Sequence, residues 1–371
     1  MQESDLPALI SQVLWASFAL AVVFGAIAQR SHFCTMGAVS DIVNMGDWTR
    51  MRMWLLAIAV AMIGFNAMVF LGWVEAKNSV YAGPKLIWLS NLLGGLMFGF
   101  GMVLASGCGS KTLVRIGGGS LKSLVVFVVL AFAAYATLKG FTAVARVATV
   151  DTLAITLPVG QDMPSLFAHF TGASRQTVAL MLGGGLGAAL LVFCLARPEG
   201  RGGEVLLTGI VIGAVIVGVW WVSGRLGRLA EHPQTLEEVF LATNTQRMES
   251  LTFVAPIAYT VDWLILFSDK SKVLTIGIVT TLGVMAGSFI VAVLNKSFRW
   301  EGFASTEDTA NHLVGALLMG VGGVTAMGCT VGQGLSGVST LAIGSFMALA
   351  AIIAGAVLAL RYQIWRLDQL G

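Results

Sequence analysis

The chain has 371 residues, of which 57% are hydrophobic and only 11% charged, with a formal net charge of +3 and a mean hydropathy of +0.85. A soluble globular domain carries roughly 25% charged residues, so this composition excludes that class and predicts an all-α integral membrane protein. The net charge is small and its charges fall between apolar runs rather than on one face, which excludes nucleic-acid binding.

A membrane-spanning helix needs about 20 mostly apolar residues. On that rule nine are expected, over residues 12–29, 52–74, 88–107, 121–141, 177–196, 204–222, 274–294, 312–328 and 340–360. Met1-Gln2-Glu3-Ser4-Asp5 brings no basic segment ahead of the first apolar run, which argues against a cleaved signal peptide. The first span ends at Gln29-Arg30-Ser31-His32-Phe33-Cys34, and residues 35–50 form a semi-polar connection able to dip back into the membrane. A polar loop covers 75–87. After Cys108 come Lys111, Arg115 and a run of three glycines. The chain reads as one transmembrane domain, 1–371, with a first half over 12–141, a linker over 142–174 and a second half over 175–360. In the second half, 236–247 and 251–267 have helical, partly apolar patterns. They read equally well as interfacial or re-entrant pieces and as an extramembrane loop.

Two stretches organise the rest. Gly94-Gly95-Leu96-Met97-Phe98-Gly99-Phe100-Gly101-Met102-Val103-Leu104-Ala105-Ser106-Gly107-Cys108 and Gly315-Ala316-Leu317-Leu318-Met319-Gly320-Val321-Gly322-Gly323-Val324-Thr325-Ala326-Met327-Gly328-Cys329 agree at eight of fifteen positions without a gap. Each ends an apolar helix on Gly-Cys and then turns small and polar. Lys and Arg orient the chain by the positive-inside rule. Twelve fall in one set of alternate segments, against only Lys77 and Lys85 in the short segments of the other, so the N-terminus is expected outside and the C-terminus inside. The two glycine-rich spans are then third and eighth and point in opposite directions. Such a pair marks an inverted repeat with a site near the midplane.

Of the four cysteines, Cys194 lies inside an unbroken apolar run and reads as ordinary packing. Cys34, Cys108 and Cys329 each follow the end of a helix, where freed backbone groups need partners. Ser106, Gly107, Gly109, Ser110 and Lys111 around Cys108, and Gly328, Thr330 and Gln333 around Cys329, would form a polar pocket lined with thiols. A neutral S–H is a weak donor and a polarizable partner, suited to a small sulfur-containing anion. The chain has no Walker motif, no Cys/His metal pattern and no paired carboxylates on a helix, so neither a cofactor nor an enzyme is expected. No acid sits mid-span, which favours a facilitated path over a proton-driven pump. Two other readings stay open: a membrane sulfurtransferase that forms a cysteine persulfide, and a structural subunit whose cysteines only pack.

Gln29-Arg30-Ser31-His32-Phe33-Cys34, Gly99 to Cys108 and Gly328-Cys329-Thr330-Val331-Gly332-Gln333-Gly334 resemble the three cysteine motifs of the YeeE/YedE family. Glu249-Ser250-Leu251-Thr252-Phe253-Val254-Ala255-Pro256 also resembles a segment of that family. The resemblance implies an inner-membrane protein of two pseudo-symmetric inverted halves that takes up thiosulfate. It further implies a relay by S–H···S contacts, with Cys108 and Cys329 near the narrowest point and Cys34 on the cytoplasmic side. A small soluble sulfur-carrier protein on the inner face would receive the sulfur, and a selenium species is an alternative substrate. The chain departs from the family at Gly109, Lys111 and Gln333, where many members have Thr or Ser and then a Gly-His-Gly run.

Overall fold

The computed structural model describes residues 6–231 and 236–370; Met1 to Asp5 lie outside it. Fourteen α-helices occur among the described residues. In order they are α1 (Leu6–Arg30), α2 (Thr35–Met45), α3 (Thr49–Phe70), α4 (Trp88–Leu104), α5 (Gly109–Gly117), α6 (Leu121–Lys139), α7 (Phe141–Ala148), α8 (Met163–Thr171), α9 (Arg175–Leu195), α10 (Gly203–Trp221), α11 (Ala255–Ile265), α12 (Ile276–Leu294), α13 (Thr306–Thr325) and α14 (Ile343–Leu370). Eight helical stretches are long and apolar enough to cross a membrane, so the chain is an all-α, multi-pass membrane protein. The ninth expected span is the 20-residue α13, whose first turn carries Glu307 and Asp308.

Glycine decides how the bundle packs. α4 and α13 run antiparallel with their backbones touching. A Cβ on Gly94 would lie 2.5 Å from Ala326 N and 2.7 Å from Gly322 O, and one on Gly101 would lie 2.7 Å from Gly315 O. Gly95 and Gly99 of α4 face α14, while Gly320 of α13 faces α6, where a Cβ would meet Leu130 O at 2.8 Å. Lipid tails are as apolar as leucine, so close backbone approach through small residues supplies the attraction between such helices. The other long contacts are α1 with α12, α3 with α10, and α9 laid against α3.

Arg52 of α3 is buried and caps the end of α9. Its Nη1 donates to Phe193 O at 2.8 Å and to Cys194 O at 3.3 Å. Nε lies 3.5 Å from a Glu199 carboxylate oxygen, and the guanidinium sits over the Phe193 ring. It therefore satisfies carbonyls that a helix end leaves open. Arg52→Leu should cost about 2–3 kcal/mol, read as a Tm lowered by several degrees in the detergent-solubilised protein.

The linker over 142–174 is folded rather than open. It contains α7, α8 and the strand β2 (Ile155–Thr156), paired antiparallel with β1 (Lys85–Leu86). A second short pair joins β3 (Arg228–Leu229) to β4 (Val239–Phe240). The expected helix over 236–247 is absent. Leu236, Ala242 and Gln246 have φ of 57°, 57° and 54°, in the left-handed region that no continuous α-helix tolerates. Only the later part of 251–267 is helical, as α11, with Pro256 in its first turn.

Candidate functional site

Three long helices end in the same way. Their last turns close on a residue of positive φ that is not glycine: His32 (52°) after α1, Ser106 (55°) after α4 and Met327 (57°) after α13. For the last two, the hydrogen bonds are those of a Schellman cap. Gly107 N–H donates to Met102 O and Gly328 N–H to Gly323 O, each at 2.8 Å, while Ser106 N–H reaches Val103 O and Met327 N–H reaches Val324 O. A side chain in this conformation costs roughly 1–2 kcal/mol, and such strain clusters at functional sites. Two residues past each positive φ comes a cysteine.

Each cysteine then starts the next helical segment. Cys34 is the N-cap of α2, and its Sγ accepts from Gly37 N–H at 3.4 Å. Cys108 is the N-cap of α5, with Sγ 3.2 Å from Ser110 Oγ. Cys329 Sγ accepts from Gly332 N–H at 3.4 Å, at the head of a wide π-turn, Gly332–Gly337. At Cys34 and Cys329 the sulfur therefore serves as acceptor, and the thiol hydrogen stays free to donate. All three cysteines are buried and unpaired by disulfides.

Cys108 lies close enough to both Cys34 and Cys329 for charge on one to be felt by the other. Lys111 lies within the same range of Cys34 and Cys108. A Cβ on Gly107 would press on the Lys111 side chain at 3.0 Å, and one on Gly328 would meet Gln333 N at 3.2 Å. A Cβ on Gly109 would meet Phe253 O at 3.3 Å. Gln333 braces its break by donating through Nε2 to Ala326 O. Its Oε1 and the hydroxyl of Thr330 are buried without a hydrogen-bond partner. Cys194 belongs elsewhere: it is wholly buried beside α3, with Sγ donating to Arg52 O at 3.4 Å. Among the described residues no cluster of His, Cys, Asp or Glu could hold a metal ion.

A cavity approaches the cysteines from each end of the bundle. One, of about 240 Å³, runs from the exposed Asn244 and Thr245 to the buried Gly328 beside Cys329, past Tyr81, Glu249 and Thr252. The other, of about 590 Å³, is walled by Arg30, His32, Lys111, Arg115, Lys296 and Arg299. The first cavity is lined by Gly277 at the start of α12 and the vestibule by Asn295 just past its end, so the two open at opposite ends of that helix. The sequence reading missed the first cavity. It singled out Glu249 to Pro256, but nothing in the spacing reveals that this segment lies against the Cys329 break.

The profile of the sulphur transport family matches residues 30–358. The chain is 26% identical over 330 residues to the thiosulfate transporter TsuA of Escherichia coli, covering 84% of each protein. It is 24% identical to the thiosulfate transporter TsuA of Spirochaeta thermophila, covering 92% of this chain and 97% of that one. It is also 34% identical over 110 residues to the probable transporter YedE of Escherichia coli, covering 30% of this chain and 26% of that one. The family and these relatives are named for transport, not for an enzymatic reaction.

Proposed function

Since this chain belongs to the sulphur transport family, the one whose YeeE/YedE motifs its cysteine breaks resemble, we propose that it carries thiosulfate inward across the inner membrane. The ion passes Cys329, Cys108 and Cys34 in that order. What supports this reading is that Cys34, Cys108 and Cys329 each sit buried at a capped helix break, with a cavity ending beside Cys329 and a basic vestibule lined by His32 and Lys111. The terminal sulfur of thiosulfate is soft and takes the free S–H donors. Its sulfonate oxygens take the backbone N–H groups and the positive dipole ends at the starts of α2 and α5. The unpartnered Thr330 hydroxyl is a further donor on this path. Lys111, Arg115 and Arg30 draw the anion out of the last thiol contact into the vestibule.

In this reading the N-terminus faces outside, the basic vestibule faces the cytoplasm, and a small soluble sulfur carrier docks there to receive the sulfur. The halves are related by a two-fold axis in the membrane plane. What supports the axis is the exchange of partners: α1 on α12 matches α10 on α3, and α4 on α14 matches α13 on α6. Gly94 touches Gly322, and their sequence counterparts Gly315 and Gly101 touch in turn.

The test is uptake of radiolabelled thiosulfate into liposomes containing only this protein. Uptake that unlabelled thiosulfate abolishes and sulfate leaves largely intact is the expected result. Equal competition by sulfate would refute recognition through the terminal sulfur.

A further inference from the structure

Glu249 has a carboxyl group with an unusual setting. Its backbone is clamped by Ser223 of the turn Val222–Leu226, whose Oγ donates to Glu249 O at 2.6 Å and lies 3.2 Å from Glu249 N. On either side Met248 bridges to residues 78–80, and Ser250 Oγ donates to Ile216 O at 2.9 Å. The segment is therefore fixed, and the side chain has one place to go: the cavity that ends beside Cys329. The residue as a whole is half-buried, yet its Oε1 is sealed from solvent and has no hydrogen-bond partner.

An ionised carboxylate in that position is doubly unfavourable. It is desolvated without compensation, and it would repel an anion on its way to the thiols. The titratable and charged groups on the surrounding elements do not relieve it. Tyr81 on residues 71–87 and Tyr259 on α11 are both held in the phenol form by burial. Arg146 on α7 lines the same cavity; its Nη1 pairs with Asp151 at 3.4 Å and its buried Nε has no partner, yet burial is the only influence on the Glu249 carboxyl. Cys329 is the remaining group near Tyr81, and the cavity linings from α6, α12 and α13 are Leu138, Gly277, Gly323 and Val324. Burial alone pushes the Glu249 carboxyl up to about 8, so at neutral pH it is the uncharged acid.

We propose that Glu249 is a substrate-recognition residue, a neutral carboxylic acid that donates its O–H to a sulfonate oxygen of the anion in the cavity before Cys329. The inference rests on the transport reading and deepens it, by assigning the oxygen end of the anion a donor as the thiols are assigned to the sulfur end. The proton makes the group selective by charge state: below its titration point Glu249 attracts the anion, and above it Glu249 expels it. Thiosulfate itself stays fully ionised over this range, so the dependence belongs to the protein.

The experiment is the initial rate of thiosulfate uptake into proteoliposomes at external pH 7 and pH 9, for the wild type and Glu249→Gln. With titration at about 8, only about one molecule in eleven keeps the acid form at pH 9, so the wild-type rate should fall about tenfold. In Glu249→Gln, which keeps a donor that cannot ionise, the two rates should agree within about twofold. A second measurement needs no variant. Thiosulfate binding at pH 8.5, in two buffers of different ionisation enthalpy, should show uptake of a proton by the wild type. An equal fall in rate for both proteins, a flat wild-type profile, or binding without proton uptake would each overturn the role of Glu249 and leave transport standing. A wild type that neither binds nor moves thiosulfate at any pH removes the transport reading, and this inference with it.

Discussion

Alanine in place of Cys329 or of Cys108 should reduce thiosulfate uptake to the level of empty liposomes, while Cys194→Ala transports at the wild-type rate. In the proposed relay the two thiols would be the soft donors, and no neighbouring side chain would substitute for them. Thr330, Ser110 and Gln333 offer oxygen or nitrogen, which suits the sulfonate end and not the terminal sulfur. A barrier raised by about 3 kcal/mol at one step already slows passage by roughly a hundredfold. The fold should tolerate the change. Sulfur is a weak cap, so losing the Gly332 N–H···Sγ bond at Cys329 costs well under the roughly 1 kcal/mol of an ordinary N-cap. Uptake and thermal stability measured on the same preparations separate the two effects. Full uptake by both variants would remove the relay.

The largest loss of stability is expected along the α4–α13 seam. In Gly322→Val the new Cβ would begin 2.6 Å from Phe98 N and 2.7 Å from Gly94 O, and in Gly101→Val 2.7 Å from Gly315 O. These neighbours are main-chain atoms, which cannot turn aside as a side chain can. Overpacking a core costs about 1–3 kcal/mol when side chains absorb it, so these variants should lose roughly 3 kcal/mol or more. Poor recovery from size exclusion and a Tm lowered by about 4 °C or more are expected. Gly184→Ala is the matched control, since a Cβ there meets nothing within 4 Å. Equal melting of all three would show that the seam does not hold the bundle together.

Much of this architecture was legible in the sequence because the lipid phase imposes a simple rule on length and apolarity. The eight apolar spans follow from that rule, and the aligned Gly-Cys endings gave away the breaks. α13 was counted on the same rule from its apolar part, 312–328; Glu307 and Asp308 precede that run, and the match to α4 supports it independently of hydropathy. What failed was local pattern without a partner. Residues 236–247 carry a helical pattern, yet Val239–Phe240 pairs with Arg228–Leu229, and Leu236, Ala242 and Gln246 on either side of that strand are left-handed. The linker hid α7 and α8 because its short apolar runs pack on the bundle end rather than cross it. The cavity beside Cys329 was out of reach, since its lining comes from residues 80–81, 138, 146, 277 and parts of 244–259 and 323–328, which only the finished fold brings together.

The glycine contacts also bear on how turnover happens. Many carriers expose a fixed site alternately to each side by rocking one half of the molecule against the other. Here main chain rests on main chain where α4 meets both α13 and α14, and again where α13 meets α6. Rigid bodies interlocked in this way have no slack to tilt without collision. On the proposed route the interlocked helices would stay in place, and any movement would fall to the short capped breaks at Cys34, Cys108 and Cys329.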